Sequence, residues 1–158
     1  MNFKSILANT CYRLIHGMKL KKEIPPTLDS AIEFLYTNLS EKELKFIKSN
    51  DHSSIHHFGG MQLRNDWNLW NTKSALNKDI QKRFGLMHGD DCSGLIFTGL
   101  WAKVKGENVN DALNNVAESY INHWKRSGVN PMTGEPIKGV KPPSTMTLEI
   151  TKDGIKIL

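Results

Sequence analysis

The stretch Asp111-Ala112-Leu113-Asn114-Asn115-Val116-Ala117-Glu118-Ser119-Tyr120-Ile121-Asn122-His123-Trp124-Lys125-Arg126-Ser127-Gly128 decides how this chain folds. Leu113, Val116, Ala117, Tyr120, Ile121 and Trp124 recur three and four positions apart, which on a helix puts them on one stripe. Gly128 closes the pattern. A long helix over residues 107–128 with such a stripe is structural. It must be covered by other elements, and the neighbouring sequence supplies more helices.

Working towards the N-terminus, Leu95, Ile96, Leu100 and Val104 predict a buried helix face that Gly106 breaks, with Asp90 and Asp91 as acceptors for the free amides of its first turn. Residues Lys73 to Phe84 read as a helix with Leu76, Ile80 and Phe84 on one side, ended by Gly85. Ser40-Glu41-Lys42-Glu43 is a capping-box pattern before Leu44, Phe46 and Ile47, with an end near Asn50-Asp51. Leu28, Ala31, Ile32, Leu35, Tyr36 and Leu39 form a further stripe capped by Thr27. Pro25-Pro26 separate it from residues 1–22, where Leu7, Cys11, Leu14, Ile15 and Met18 predict a basic amphipathic helix.

Towards the C-terminus, residues 129–144 hold four of the six prolines and read as an ordered extended loop or a mobile flap. The period then changes to two: Thr145 to Ile150 and Ile155 to Leu158 flank Lys152-Asp153-Gly154, which predicts a β-hairpin over 145–158. An isolated hairpin is marginal in water, so it packs on the helices, adds to a third strand, or pairs with another subunit. The expected fold is therefore mainly α (α+β), a single compact helical domain over 1–158 with a small C-terminal β-hairpin.

Composition agrees: 158 residues, 39% hydrophobic and 23% charged, are those of an ordinary globular protein. No run approaches the roughly 18 apolar residues of a membrane span. A cytoplasmic location without membrane contact is expected, in the host cytoplasm if a phage encodes the chain. Two cysteines, Cys11 and Cys92, are too few for a disulfide framework and lack zinc-site spacing, so both read as small buried hydrophobes. The net charge of +5 is uneven, with Lys4, Arg13, Lys19, Lys21 and Lys22 set against Glu23 in the first 23 residues. That bias favours anionic partners without specifying one.

Residues 51–70 are the least ordinary part. His56-His57-Phe58-Gly59-Gly60 precede Arg64-Asn65-Asp66-Trp67-Asn68-Leu69-Trp70. If Gly60 to Trp67 is helical, Met61 and Asn65 share one side and Gly60, Arg64 and Trp67 another. Arginine supplies a fixed fork for phosphate or carboxylate, asparagine donates and accepts, and an indole stacks on a base or on the guanidinium. These are the parts of a nucleotide or anionic-ligand pocket, with His57, Arg64, Asn65, Trp67, Trp70, His88 and Asp91 as candidate contacts. The bland alternative makes Trp67 and Trp70 core residues and pairs Arg64 internally with Asp66, Asp90 or Asp91.

Other chemistries lack their signatures. Adjacent histidines point apart, and no HExxH, HxH or paired cysteines occur, so no metal is expected. Gly59-Gly60 has neither the lysine of a P-loop nor a GxGxxG setting, and no cofactor is expected. His57 or His88 with an aspartate would suit hydrolysis, but Ser93 has no GxSxG context.

The run Pro25-Pro26-Thr27-Leu28-Asp29-Ser30-Ala31, then His57-Phe58-Gly59, Arg64-Asn65-x-Trp67-x-Leu69-Trp70, and His88-x-Asp90-Asp91-x-Ser93 resembles a small family of bacterial and phage proteins classed as a domain of unknown function. The resemblance spans about residues 24–106. It implies an α-helical domain whose distinctive polar positions are here His57, Arg64, Asn65 and Asp91, and it carries no reaction. Cys92 stands where methionine is more usual, and the basic N-terminal helix, the 107–128 helix, the loop and the hairpin are additions.

The function expected from these parts is non-enzymatic binding of a small anionic ligand, a nucleotide or nucleotide-derived signal, as in a phage-type sequestering or accessory factor. The alternatives are an interaction factor for a host protein, or for nucleic acid through Lys73, Lys78, Lys82 and Arg83, that modulates a host enzyme, and last a His/Asp hydrolase. No helix-turn-helix or RNA-binding motif supports nucleic acid. Strand pairing of the hairpin offers a route to a homo-oligomer.

Overall fold

The computed structural model describes residues 24–49, 53–140, 148–151 and 154–157. The helix expected over residues 1–22, with Cys11, lies outside these. Six helices are found among the described residues: α1 (Leu28–Thr37), α2 (Glu41–Ser49), α3 (Ser53–Asp66), α4 (Ala75–Phe84), α5 (Gly89–Lys105) and α6 (Val109–Arg126). Two four-residue strands, β1 (Leu148–Thr151) and β2 (Gly154–Ile157), are antiparallel neighbours with Leu148 opposite Ile157. Residues 145–147, 152–153 and 158 are outside the described set, so the hairpin expected there falls partly beyond it, and the described domain is a compact helical one.

The fold is organised around α5. Thirteen of its 17 residues are buried, including Leu95, Ile96, Leu100 and Val104. A helix that is buried nearly all round must be covered on several sides, and α1, α2, α3 and α6 pack against it while α4 meets α1. Leu28, Leu35, Ile47, Leu63, Trp67, Leu76, Ile80 and Leu113 join it in one hydrophobic cluster. Each fully buried side chain of this size contributes roughly 1.5–3 kcal/mol.

Close approach to α5 depends on glycines five residues apart, which a helix rotates by about 140° relative to one another. Each therefore meets a different neighbour. A Cβ on Gly89 would lie 2.8 Å from Trp70 Cε3, one on Gly94 would overlap the Tyr120 hydroxyl of α6, and one on Gly99 would overlap Ile32 Cδ1 of α1.

The helix ends follow from local chemistry. Thr27 and Ser30 form a reciprocal capping box on α1, and the next amide, Leu28 N–H, donates to Asp79 Oδ2 of α4 at 2.8 Å. Ser40 N–H and Oγ both donate to Glu43 Oε2, at 2.7 and 2.5 Å, at the start of α2. Helix α4 begins at Ala75 rather than Lys73 because Ser74, in extended conformation, accepts from Asn77 N–H at 3.2 Å. Gly85 and Gly106 end α4 and α5 at φ of 68° and 74°.

The start of α5 differs from expectation. Its cap is His88, whose side chain accepts from Asp90 N–H, and Asp90 and Asp91 sit inside the first turn. The helix start thus carries two carboxylates at its positive end.

Candidate functional site

The elements meet chemically at the N-terminus of α5. Helix α3 ends in a Schellman motif: Asn68 adopts φ of 49°, its N–H donates to Asn65 O, and Leu69 N–H donates to Arg64 O at 2.9 Å. Asparagine tolerates this left-handed conformation better than most residues. The reversal delivers Trp70, whose ring packs on Gly89. Half of Trp70 stays exposed (50%).

The turn is held from α4. Asn77 is fully buried, and its Nδ2 donates to Leu69 O at 2.8 Å. Sequence reasoning missed this residue; its signal is a polar side chain set between Leu76 and Ile80 of the apolar stripe.

Arg64, on the last turn of α3, places Nη1 2.8 Å from Asp90 Oδ1 and donates from the same nitrogen to Ser93 Oγ at 3.1 Å. Ser93 Oγ donates in turn to Asp90 O at 2.9 Å. Of the internal partners open to Arg64, the structure selects Asp90. The guanidinium carbon also lies 5.8 Å from the centre of the Trp70 ring, and Nε is buried without a protein partner.

His88 stands between two indoles, 5.3 Å from Trp70 and 5.3 Å from Trp124 by ring centres. His123 extends the row, 5.9 Å from Trp124. Trp124 Nε1–H donates to Asp91 Oδ2 at 2.7 Å. Beside His88 and Trp124 lies an apolar slot of about 60 Å³, closed by Val129, Asn130, Pro131 and Gly134 of the following loop. That loop is ordered by its own bonds, with Asn130 Oδ1 accepting from Met132 N–H at 2.8 Å and Ile137 N–H donating to Gly128 O at 2.7 Å.

Burial pushes the Asp91 carboxyl above its usual range, and Asp90 adds to this, while the Trp124 bond, His88 and His123 act against it. Burial pushes the Tyr120 phenol up to about 12, with Asp91 and Asp90 adding to it. Burial and the neighbouring Asp91 likewise push the Cys92 thiol up to about 12, which makes it a poor nucleophile.

Four of the residues expected at the site are thus brought together: Arg64, Trp70, His88 and Asp91. Trp67 is not among them. It is fully buried in the core and meets Phe34 edge-on at 6.1 Å. Asn65 faces solvent beside exposed Met61, as their shared helical side requires, so it does not join the Arg64 cluster. His57 falls within α3, with its side chain outside the described residues. Trp124 was expected only as part of a core stripe, and its indole N–H makes it a polar member of the cluster.

The arrangement does not pair a nucleophile with a base. Ser93 gives its proton to a backbone carbonyl and receives Arg64, and His88 Nδ1 faces Asp90. Among the described residues no group of three or more His, Cys, Asp or Glu is placed to hold a metal ion. No helix among them is long and apolar enough to cross a membrane. Arg83, expected as a phosphate contact, pairs with Asp29 at 2.8 Å, whereas Lys73, Lys78 and Lys82 are exposed.

No curated protein and no solved structure matches the chain. A family model does, over residues 24–104, which hold α1 to α4 and α5 as far as Val104; α6, the source of Trp124 and Tyr120, follows the matched segment. The chain belongs to that family, described as a domain of unknown function (DUF6794).

Proposed function

We propose that the protein is a non-enzymatic binding module for a small, flat, anionic ligand of nucleotide-like chemistry, received on the open face formed by Trp70, His88 and Arg64. The observation that carries this reading is the half-exposed Trp70 indole, held on Gly89 with a guanidinium 5.8 Å from its centre and an imidazole 5.3 Å away. A fixed indole stacks any nucleobase, and arginine is the side chain suited to its phosphate. The 60 Å³ slot is far smaller than the roughly 300–1,000 Å³ of enclosed ligand pockets, so the ligand lies on the surface and its phosphate competes with Asp90 for Arg64. Sequestration of a nucleotide signal in a phage-infected cytoplasm, and assembly into an oligomer, belong to the same proposal.

The second reading is a protein-interaction factor, favoured by the exposure of Met61 (60%), Trp70 (50%) and Met132 (52%). A thermal-shift panel of mono-, di- and cyclic nucleotides separates the two. A ligand at about one hundred times its dissociation constant stabilises the fold by roughly 2.7 kcal/mol. The expected result is a shift with at least one nucleotide that disappears in Trp70→Ala and in Arg64→Ala, each still helical by circular dichroism. No shift across the panel overturns nucleotide binding and directs attention to protein partners.

A further inference from the structure

Nδ1 of His88 faces two groups of one residue. It accepts from Asp90 N–H at 3.4 Å, which needs a lone pair on that nitrogen. It also lies 3.6 Å from Asp90 Oδ2, to which it can donate only when that nitrogen carries a proton. A single ring nitrogen cannot be both acceptor and donor.

We propose that His88 is a proton-operated cap of α5. Neutral His88 closes the helix by accepting from Asp90 N–H; protonated His88 lets that amide go and bonds the Asp90 carboxylate instead. The carboxylate it then shares is the one that holds Arg64 through Oδ1. Imidazole is the side chain whose ordinary proton exchange lies between about pH 5 and 8.

Asp90 and Asp91 on the first turn of α5, two indoles at 5.3 Å, His123 from α6 and, through Asp90, Arg64 from α3 are the charged, titratable and aromatic groups around the ring. Tyr120 of α6, with its phenol pushed up to about 12, stays neutral in this range. With two cations on one carboxylate, Arg64 is held less firmly at low pH and is freer to take an anion. That last consequence rests on the proposed ligand reading; the exchange at Nδ1 does not.

The test follows the Asp90 amide and the His88 ring protons of the whole chain by NMR between pH 5.5 and 8. The Asp90 amide is expected to shift with the midpoint of the His88 ring. In His88→Asn, which keeps a neutral capping oxygen, it is expected to stay constant. An amide that does not respond in the unaltered protein overturns the proposal. So does a response that persists in His88→Asn, which would assign the change to Asp91. If the variant fails to fold, agreement or disagreement of the two midpoints in the unaltered protein decides.

A parallel titration with cyclic AMP, whose phosphodiester keeps one charge across this range, separates the two proposals. Several-fold tighter binding at pH 6 than at pH 8, lost in His88→Asn, extends the switch to the ligand site. Equal binding at both pH values overturns that extension. No binding at either pH, together with a responsive amide, overturns the extension to the ligand site while the switch stands; the ligand reading itself falls only if the whole nucleotide panel gives no shift.

Discussion

The indole N–H of Trp124 donates to Asp91 Oδ2 at 2.7 Å and joins the last turn of α6 to the first turn of α5. Asp91 is 8% exposed, so solvent cannot replace that donor in full. Trp124→Phe keeps an aromatic ring and leaves the carboxylate short of a bond, at an expected cost of about 1–3 kcal/mol in urea unfolding. A loss below about 0.5 kcal/mol, the size of an ordinary surface change, would show that the bond contributes little.

Asp91 also gives stability a pH dependence with a definite sign. Burial raises its folded-state pKa, so the native state holds the proton more tightly than the unfolded chain. The stability this contributes is fully present below the ordinary value of 3.8 and is lost as pH rises through the raised value. Asp91→Asn keeps an oxygen for Trp124 and removes the charge. Its effect on stability is therefore expected to be more favourable at pH 7 than at pH 3.5, measured by guanidinium unfolding. The same effect at both pH values would mean that burial does not act on this carboxyl.

Gly94 and Gly99 test the close packing around α5. In an exposed helix interior, alanine is about 0.8–1 kcal/mol better than glycine. Here the added Cβ meets Tyr120 and Ile32, and overpacking costs about 1–3 kcal/mol. Gly94→Ala and Gly99→Ala are each expected to lower the melting temperature; a rise in either would show that the neighbour gives way freely.

Asn77 connects stability to the site. Asn77→Ala removes the donor to Leu69 O from a fully buried position, with an expected cost of about 1–3 kcal/mol. Because that carbonyl belongs to the turn carrying Trp70, the Trp70 indole N–H resonance is expected to shift as well. An unchanged resonance in a destabilised variant would separate the turn from the site.

Much of the fold was legible residue by residue. The stripe Leu113, Ala117, Tyr120 and Trp124, the Thr27 capping box, and the breaks at Gly85 and Gly106 depend on neighbours within four positions and appear in the structure, as does the Glu43 side-chain half of the Ser40 box. The start of α5 was legible only in part. Aspartates are strong caps in isolation, yet His88 takes the cap once Trp70 and Trp124 hold its ring at the helix end.

The site divides in the same way. Residue chemistry marked Arg64, Trp70, His88 and Asp91, and helical spacing put Asn65 on Met61's side, away from Arg64. Spacing could not say which side faces solvent, because that depends on where α5 lies. The sequence by itself determined most of the helices and several of their ends, since capping and periodicity act over single turns of the chain; the extent of α3 and the starts of α4 and α5 came only with the structure. Only the tertiary structure decided that Arg64 pairs with Asp90 rather than Asp66 or Asp91, that Asn77 anchors the Trp70 turn, and that Trp124 bonds Asp91. These partners are brought together by the burial of α5 beneath its neighbours, and burial is what makes an unmatched donor or charge costly enough to select one pairing.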